Sequence, residues 1–460
     1  MSIQKSLQKI LKMIKERDTN LTEFFQNLHP TDFAEIVEDL TDEQKSELFE
    51  LLSDEEAALV IQEMEEIDQV VLFQLLTKKR ASSILKEMAT DDAADLLAEL
   101  PEEDAKELLT LIEEDAEEIR GLLKYPEDSA GGIMTTEYIS FPETMAVEET
   151  IRRLRQIAPE AETVYYVYVV DEETRLIGVL SLRELIASTD GTRLSEIMRK
   201  NIVSVPVDMD QEEVARLVSK YDLLAVPVID DRQRLLGIVT VDDVLDVLEE
   251  EATEDIYRRV GAGELDDVDL VTASVGSILG RRLPWLIITL FGGLLSGVVI
   301  GTFEKTLKTI VVLAFFIPVI MDMGGNVASQ SSTVFVRGVA TGEIDKSEMW
   351  RYFFREIRIG LTMGVICGAT VAAMTTAVFI SGLWQIDSEL MYLLGPTVGV
   401  AMFTTVTLGA VIGTFIPLLF SRAGIDPAYA AGPLVTTIKD MTGLLIYFTI
   451  ANVFMGRLLF

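Results

Sequence analysis

A chain of 460 residues is longer than one hydrophobic core organises, so several domains are expected. It is 49% hydrophobic yet carries a formal net charge of −36. The two properties separate along the chain. Residues 270–460 hold 10 acids and 12 bases, which leaves 65 acids and 27 bases, a net of −38, in residues 1–269. A surface that acidic repels phosphates and excludes nucleic acid as a partner. Cys367 is the only cysteine, so no intrachain disulfide forms, and its apolar surroundings make it a packing residue. The single histidine, His29, precedes Pro30 at a helix start and reads as a cap; one His and one Cys leave no zinc site or Cys/His dyad. Residues 1–17 read as a short basic amphipathic helix rather than a cleavable signal, so the acidic half is expected to stay in the cytoplasm.

Residues 28–123 predict stacked helical hairpins. HPTDFAEIVEDLTDEQKSELFELL returns as ATDDAADLLAELPEEDAKELLTLI, with SDEEAALVIQEMEEIDQVVLFQLL between them. Leu, Ile and Ala at helical spacing form the core and the acids the solvated face. Residues 133–248 carry a different duplication. Ile133-Met134-Thr135 is echoed by Ile197-Met198-Arg199, and VYVVDEETRLIGVLSLRELI by VPVIDDRQRLLGIVTVDDVL, each reading strand, turn, strand, helix with Gly178 or Gly237 after the turn. This pattern resembles a tandem of CBS repeats, which implies one regulatory module and an adenine-nucleotide site such as ATP occupies. By that resemblance Thr240 and Asp242 engage the nucleotide, while Ser181-Leu182-Arg183 departs by placing Arg where the acid would stand. A ligand-free dimerising scaffold is the alternative. Residues 243–270 form an acidic connecting helix with Asp243, Asp246, Glu250 and Glu254 on one stripe.

Five apolar stretches follow, at about 284–303, 309–336, 359–383, 391–420 and 428–455, each long enough to cross a bilayer. Arg281 and Arg282 precede the first. The second loop carries Arg337, Lys346, Arg351, Arg355 and Arg358, the third Asp387 and Glu389, and the fourth Arg422. The positive-inside rule then sets the amino terminus inside and the carboxyl terminus outside, against the dissent of Lys305 and Lys308. Span two holds Pro318, Asp322 and Gly324-Gly325-Asn326 before a polar run, and reads as an interrupted helix facing protein or water. Span five places Asp440 in an apolar segment, a functional site by default. Adjacent Lys439 is a poor partner by direction, since neighbours on a helix point about 100° apart. The Gly, Thr and Pro residues of span four permit close helix packing. All-oxygen ligands of this kind suit a hard cation, and a lone carboxylate suits one that keeps most of its water, as magnesium does.

The order of acidic helical repeats, CBS pair, acidic helix and five spans resembles the MgtE magnesium channels and transporters over essentially the whole chain. The residues that carry the resemblance are Pro318, Met323-Gly324-Gly325-Asn326 and Gln330 in span two, and Gly432-Pro433, Thr436-Thr437 and Asp440 in span five. Ala328 departs from the glycine more common there. The expected fold is multidomain: an all-α helical-repeat domain (1–130), an α+β tandem CBS module (131–245; repeats about 133–190 and 197–248), a plug-like acidic connecting helix (246–280) and an all-α five-span transmembrane domain (281–460). The resemblance implies a homodimer in the plasma (inner) membrane, with spans two and five lining a pore. Asp440 would hold hydrated Mg²⁺ there, with Asn326 beside it and Glu304 at the outer end of span one. Magnesium bridging the acidic domains would stabilise a compact closed state, through Asp91, Asp95, Asp210, Glu212, Asp222, Asp243, Asp246, Glu251, Glu254, Asp255 and Asp426. Two alternatives are a carrier of Co²⁺, Ni²⁺ or Mn²⁺ and a membrane-anchored nucleotide or ion sensor. An enzyme is not expected, since neither a GxSxG nor a P-loop string occurs.

Overall fold

The computed structural model describes residues 3–16, 21–25, 27–112, 116–158, 161–262, 273–381 and 388–459. Asp387, the far end of the expected third span and residues 263–270 of the linker lie outside them. The chain divides into two compact units, residues 1–249 and 250–460.

Unit 1 begins with α1 (Ile3–Glu16) and α2 (Leu21–Phe25). Eight short helices follow: α3 (Pro30–Glu38), α4 (Asp42–Phe49), α5 (Asp54–Ile61), α6 (Glu66–Leu75), α7 (Lys78–Leu85), α8 (Thr90–Glu99), α9 (Glu102–Ile112) and α10 (Ala116–Leu122). Helices this short are marginal alone, so tertiary packing must hold them. Odd-numbered helices pack on odd and even on even (α3 on α5, α7 on α9, α4 on α6, α8 on α10), which makes two layers around one core. Local signals fix the ends. Thr41 with Gln44 and Ser53 with Glu56 form capping boxes, and His29 caps α3. Arg80 on α7 donates to the carbonyls of Phe49 (3.0 Å) and Leu52 (2.6 Å), tying successive repeats.

The CBS pair consists of two three-stranded sheets. β1 (Ser140–Pro142), α11 (Val147–Ile157), β2 (Tyr166–Val170), β3 (Leu176–Ser181) and α12 (Leu182–Ala187) form the first repeat. After α13 (Leu194–Ile197), the second comprises β4 (Val205–Pro206), α14 (Gln211–Tyr221), β5 (Ala225–Ile229), β6 (Leu235–Thr240) and α15 (Val241–Val260). In each sheet the first pair is parallel and the second antiparallel. The repeats exchange their leading segments: Thr135 bridges to Ile238 in the second sheet, and Arg199 to Val179 in the first. That exchange explains the echoed Ile-Met motif and the paired glycines. A Cβ at Gly178 would lie 2.3 Å from Met198 Sδ, and one at Gly237 would lie 2.6 Å from Thr135 O. Each methionine therefore sits under the other repeat's glycine. At the matching turns, Asp171 and Asp230 each accept from two backbone amides and from the Nε of Arg175 or Arg234.

In unit 2, five helices among the described residues are long and apolar enough to cross a membrane: Val275–Thr302, Val311–Ala340, Met349–Ile380, Tyr392–Arg422 and Pro433–Gly456. The first is α16 (Val275–Thr302), which starts before Arg281 and Arg282. A short α17 (Glu304–Thr309) follows. Span two is a 3-10 turn (Val311–Phe316) leading into α18 (Ile317–Ala340), and spans three and four are α19 (Met349–Ile380) and α20 (Ser388–Arg422). Span five is a one-turn α21 (Ala428–Ala431), a break at Gly432, and α22 (Pro433–Leu459). The expected interruption of span two is displaced. Gly324-Gly325-Asn326 and the polar run continue as α-helix, and the irregularity precedes Pro318, where a proline suits the first turn. The polar run stays helical because its small residues face protein: Gly324, Val327, Ala328, Ser331 and Ser332 are buried. Glycines admit the neighbouring backbone, since a Cβ at Gly413 of α20 would lie 2.2 Å from Ala328 O, and one at Gly368 of α19 2.6 Å from Gly399 O.

The buried contact beneath Gly237 makes a direct prediction. Gly237→Ala is expected to destabilise the native fold by about 1–3 kcal/mol, because a backbone carbonyl cannot move aside as a flexible side chain can. Thermal unfolding of the purified chain, read beside Gly121→Ala as a control in open space, checks this.

Candidate functional site

Three places concentrate chemistry, and each draws on the residues singled out above. The first is the seam between α18 and α22. Pro433 opens α22 just after the break at Gly432, and Thr436 Oγ1 returns a hydrogen bond to Gly432 O. One turn further on, Asp440 faces partly outward while Lys439 turns into the protein. The directional argument against their pairing fails: Lys439 Nζ lies 2.6 Å from Asp440 Oδ1. The reason is reach. The 100° separation applies to the Cα–Cβ bonds, whereas a four-carbon stem brings its ammonium back to the neighbour. That ammonium also donates to Met321 O of α18. On the same helix Asn326 Nδ2 donates to Asp322 Oδ2 at 3.2 Å, so the polar atoms of span two are organised beside the pair.

Glu304, expected at the pore, is differently employed. Its carboxylate pairs with Lys308 one turn along α17, at 2.5 Å, and its side chain is 66% exposed. Asp426 accepts from Ala428 N at 2.8 Å and pairs with Arg258 at 2.9 Å, and that guanidinium also meets Glu254 and the ring of Tyr429. An arginine therefore already provides the positive charge between Asp426 and Glu254. Glu251 and Asp255 lie on the same stretch of α15, half-buried. A carboxylate not singled out from the sequence, Glu356 of α19, is buried and accepts from Ser331 Oγ of α18 at 2.7 Å. Its position just before the expected start of the third span makes it look like a loop residue.

The second place is an acidic crevice inside unit 1, where α8 meets the start of α15. Asp91 is 8% exposed and its Oδ1 has no hydrogen-bond partner. Burial, then the nearby Asp92, Asp243 and Glu162 carboxylates, push its pKa well above the usual carboxylate range. Burial first and neighbouring acids after it also raise Asp92 and Asp246, and carry Asp243 to about 6, Glu162 to about 7 and Asp95 to about 8. The side chains of Asp95, Glu162 and Asp246 are nonetheless exposed at the surface, so water and salt temper the push on them. Among the described residues no three acidic side chains converge closely enough to hold a bare metal ion. Asp210, Glu212 and Asp222 are not part of this crevice. Asp210 caps the start of α14, Glu212 pairs with Arg216, and Asp222 ends the helix at φ 50°. Roughly 18 Å of helix separates Asp210 from Asp222, so one ion cannot bridge them.

The third place is a cleft of about 360 Å³ between the CBS repeats. It is lined by Tyr166, Tyr168, Ser181, Glu184, Arg199 and Tyr221, among others. Ser181 and Glu184 form a capping box, and Arg199 pairs with Glu184 at 2.6 Å. The buried Tyr168 hydroxyl has no partner. Thr240 and Asp242, the residues expected from the sequence, do not line this cleft. Thr240 is buried and donates to Asp243 Oδ2 at 2.6 Å, and Asp242 points to solvent. The acid that answers the Ser/Thr is three residues on, not two, because that spacing closes a capping box. At the first repeat this rule selects Glu184 rather than Arg183.

These features define a multi-pass membrane protein whose soluble acidic unit precedes a helical transport domain. Comparison with known proteins agrees. Family models match residues 28–128 (MgtE intracellular N domain), 130–190 and 194–250 (CBS domain) and 317–450 (MgtE, divalent cation transporter). The magnesium transporter MgtE of Thermus thermophilus is 43% identical over 368 residues, 79% of this chain and 79% of its own. That of Bacillus subtilis is 40% identical over 337 residues, 73% of this chain and 72% of its own. Two crystal structures resemble unit 1. The soluble part of a magnesium transporter covers 55% of this chain and 100% of its own at 38% identity, TM-score 0.53. The cytosolic domain of the Mg²⁺ channel MgtE in complex with ATP covers 53% and 98% at 44% identity, TM-score 0.50. The chain belongs to the MgtE family, whose named members are transporters and not enzymes.

The crevice predicts a pH dependence with a definite sign. A carboxyl whose pKa is raised on folding binds its proton more tightly folded than unfolded, so its contribution is full below about pH 4 and is lost as pH rises through 6 to 8. In divalent-free buffer the thermal midpoint of unit 1 in the intact chain is expected to fall over that range. Asp91→Asn should flatten the fall.

Proposed function

We propose that this chain is a Mg²⁺ channel or transporter of the plasma membrane, acting as a homodimer with unit 1 in the cytoplasm. The observation that carries the reading is the Asp440 carboxylate in the apolar fifth span, paired with Lys439, whose ammonium donates to Met321 O of span two. Hydrated Mg²⁺ meets Asp440 as cargo. Asn326 and Asp322 offer further oxygens to its water shell, the arrangement suited to an ion that sheds water reluctantly. The 43% identity to a magnesium transporter supports magnesium as the cargo.

Intracellular Mg²⁺ closes the pathway by feedback. The crevice around Asp91, Asp95 and Asp243 crowds negative charge that magnesium neutralises through retained waters, and depletion lets that charge repel. An ion that favours one of two states shifts the population toward it. The continuous helix α15 begins at this crevice, so a change there has a direct route toward the spans. An adenine nucleotide fits the CBS cleft. Tyr166 and Tyr221 offer ring faces for the base, Ser181 and Glu184 meet the ribose, and Arg199 attracts phosphate. A relative whose cytosolic domain is in complex with ATP supports an adenine nucleotide as the ligand.

Uptake into liposomes, followed with an internal Mg²⁺ dye, tests the pore. Asp440→Ala is expected to lower the rate at least about tenfold, as loss of roughly 1.4 kcal/mol of barrier stabilisation would. Unchanged uptake would remove Asp440 from the pathway.

A further inference from the structure

The reading of Asp440 leaves a second charge at the same seam unassigned. Lys439 is 2% exposed. An ammonium in that setting is costly unless paired and hydrogen-bonded, and here it is both, to Asp440 Oδ1 at 2.6 Å and to Met321 O. Span two is shaped to receive it. A Cβ at Gly324 would approach Lys439 Cδ and Cε to 3.3 Å, and one at Gly325 would approach Nζ to 3.1 Å. The two glycines therefore form a socket for the lysine stem and its charge.

This arrangement changes what Asp440 can do. Its side chain is 24% exposed, and one of its two oxygens is already taken by the ammonium. A metal that strips its water to bind the carboxylate directly must sit beside a fixed positive charge. A metal that keeps a water layer stays further away and feels less of that charge. Mn²⁺, Co²⁺ and Ni²⁺ gain progressively more from direct ligation, whereas Mg²⁺ keeps its waters.

We propose that Lys439 is a specificity-determining residue: an internal counter-ion that keeps Asp440 from binding dehydrated divalent cations tightly, so that the site passes hydrated Mg²⁺ and releases it. The proposal rests on Asp440 as the pore carboxylate. It also gives Gly325 a purpose beyond helix packing, since a Cβ there would crowd the ammonium at 3.1 Å.

The test is uptake by the full chain in liposomes, with Mg²⁺ as substrate and Co²⁺ as competitor. Lys439→Met keeps the stem and removes the charge. It is expected to lower the KM for Mg²⁺ about tenfold, to reduce the maximal rate, and to make Co²⁺ inhibit at about tenfold lower concentration. Lys439→Arg should move all three values back toward those of the unsubstituted chain. A Lys439→Met protein with unaltered KM and unaltered Co²⁺ sensitivity would overturn the proposal. Should the methionine variant fail to fold, Lys439→Gln, which keeps a donor for Met321 O, carries the same expectation. Should a monodisperse variant pass no Mg²⁺, Mn²⁺ titration followed by electron paramagnetic resonance decides. A new tight site that vanishes in the Lys439→Met/Asp440→Asn double variant supports the proposal, and no new site overturns it. Retained uptake in Asp440→Asn alone would instead remove the pore reading beneath it.

Discussion

A carboxylate withdrawn from bulk water needs a compensating charge, a hydrogen bond or a proton, and both units of this chain are organised around that need. In unit 2 the compensation is built in. Lys439 serves Asp440, Arg258 serves Glu254 and Asp426, and Ser331 serves Glu356. In the crevice of unit 1 it is incomplete. Asp91 has an unpartnered oxygen, and its neighbours are other acids. Protons or soluble cations must supply what the sequence does not. That contrast separates carboxylates compensated within the fold from carboxylates whose compensation depends on the solution.

The architecture makes the contrast possible. Small residues along α18, α19 and α20 let backbones approach closely, which fixes the seam where Lys439 docks. In unit 1 the stacked repeats form one core with the second CBS repeat. Thr90 at the start of α8 meets Thr136 at 2.9 Å, next to the Thr135–Ile238 bridge on β6, the strand that runs into α15. The crowding is thus imposed by well-packed apolar surfaces, which offset a repulsion that the charges alone would relieve by separating.

Periodic features are legible in the sequence. The helical repeats, the duplicated CBS pattern, the five apolar stretches and the cap at His29 all follow from spacing that local physics enforces. What escapes are matters of reach and of tertiary contact. The directional rule dismisses Lys439 as a partner because it treats side chains as short rods. The polar run of span two reads as a break, yet small polar residues remain helical when a neighbouring helix covers them. Glu184 is passed over because the spacing from Ser181 is counted two residues on, to Arg183, instead of three. Asp210, Glu212 and Asp222 have local roles at the two ends of α14 that the letters alone do not show. Glu356 is passed over because its burial depends on Ser331 of another span.

The most direct measurement on the central claim is limited proteolysis of the detergent-solubilised chain, scored at cuts near residues 250–270 across a magnesium titration, with potassium at matched ionic strength. Specific neutralisation of the acidic unit by magnesium predicts protection at millimolar Mg²⁺ that potassium does not reproduce. Equal protection by both salts would mean that the acids respond to ionic strength alone, and would contradict the account of a magnesium-sensing gate.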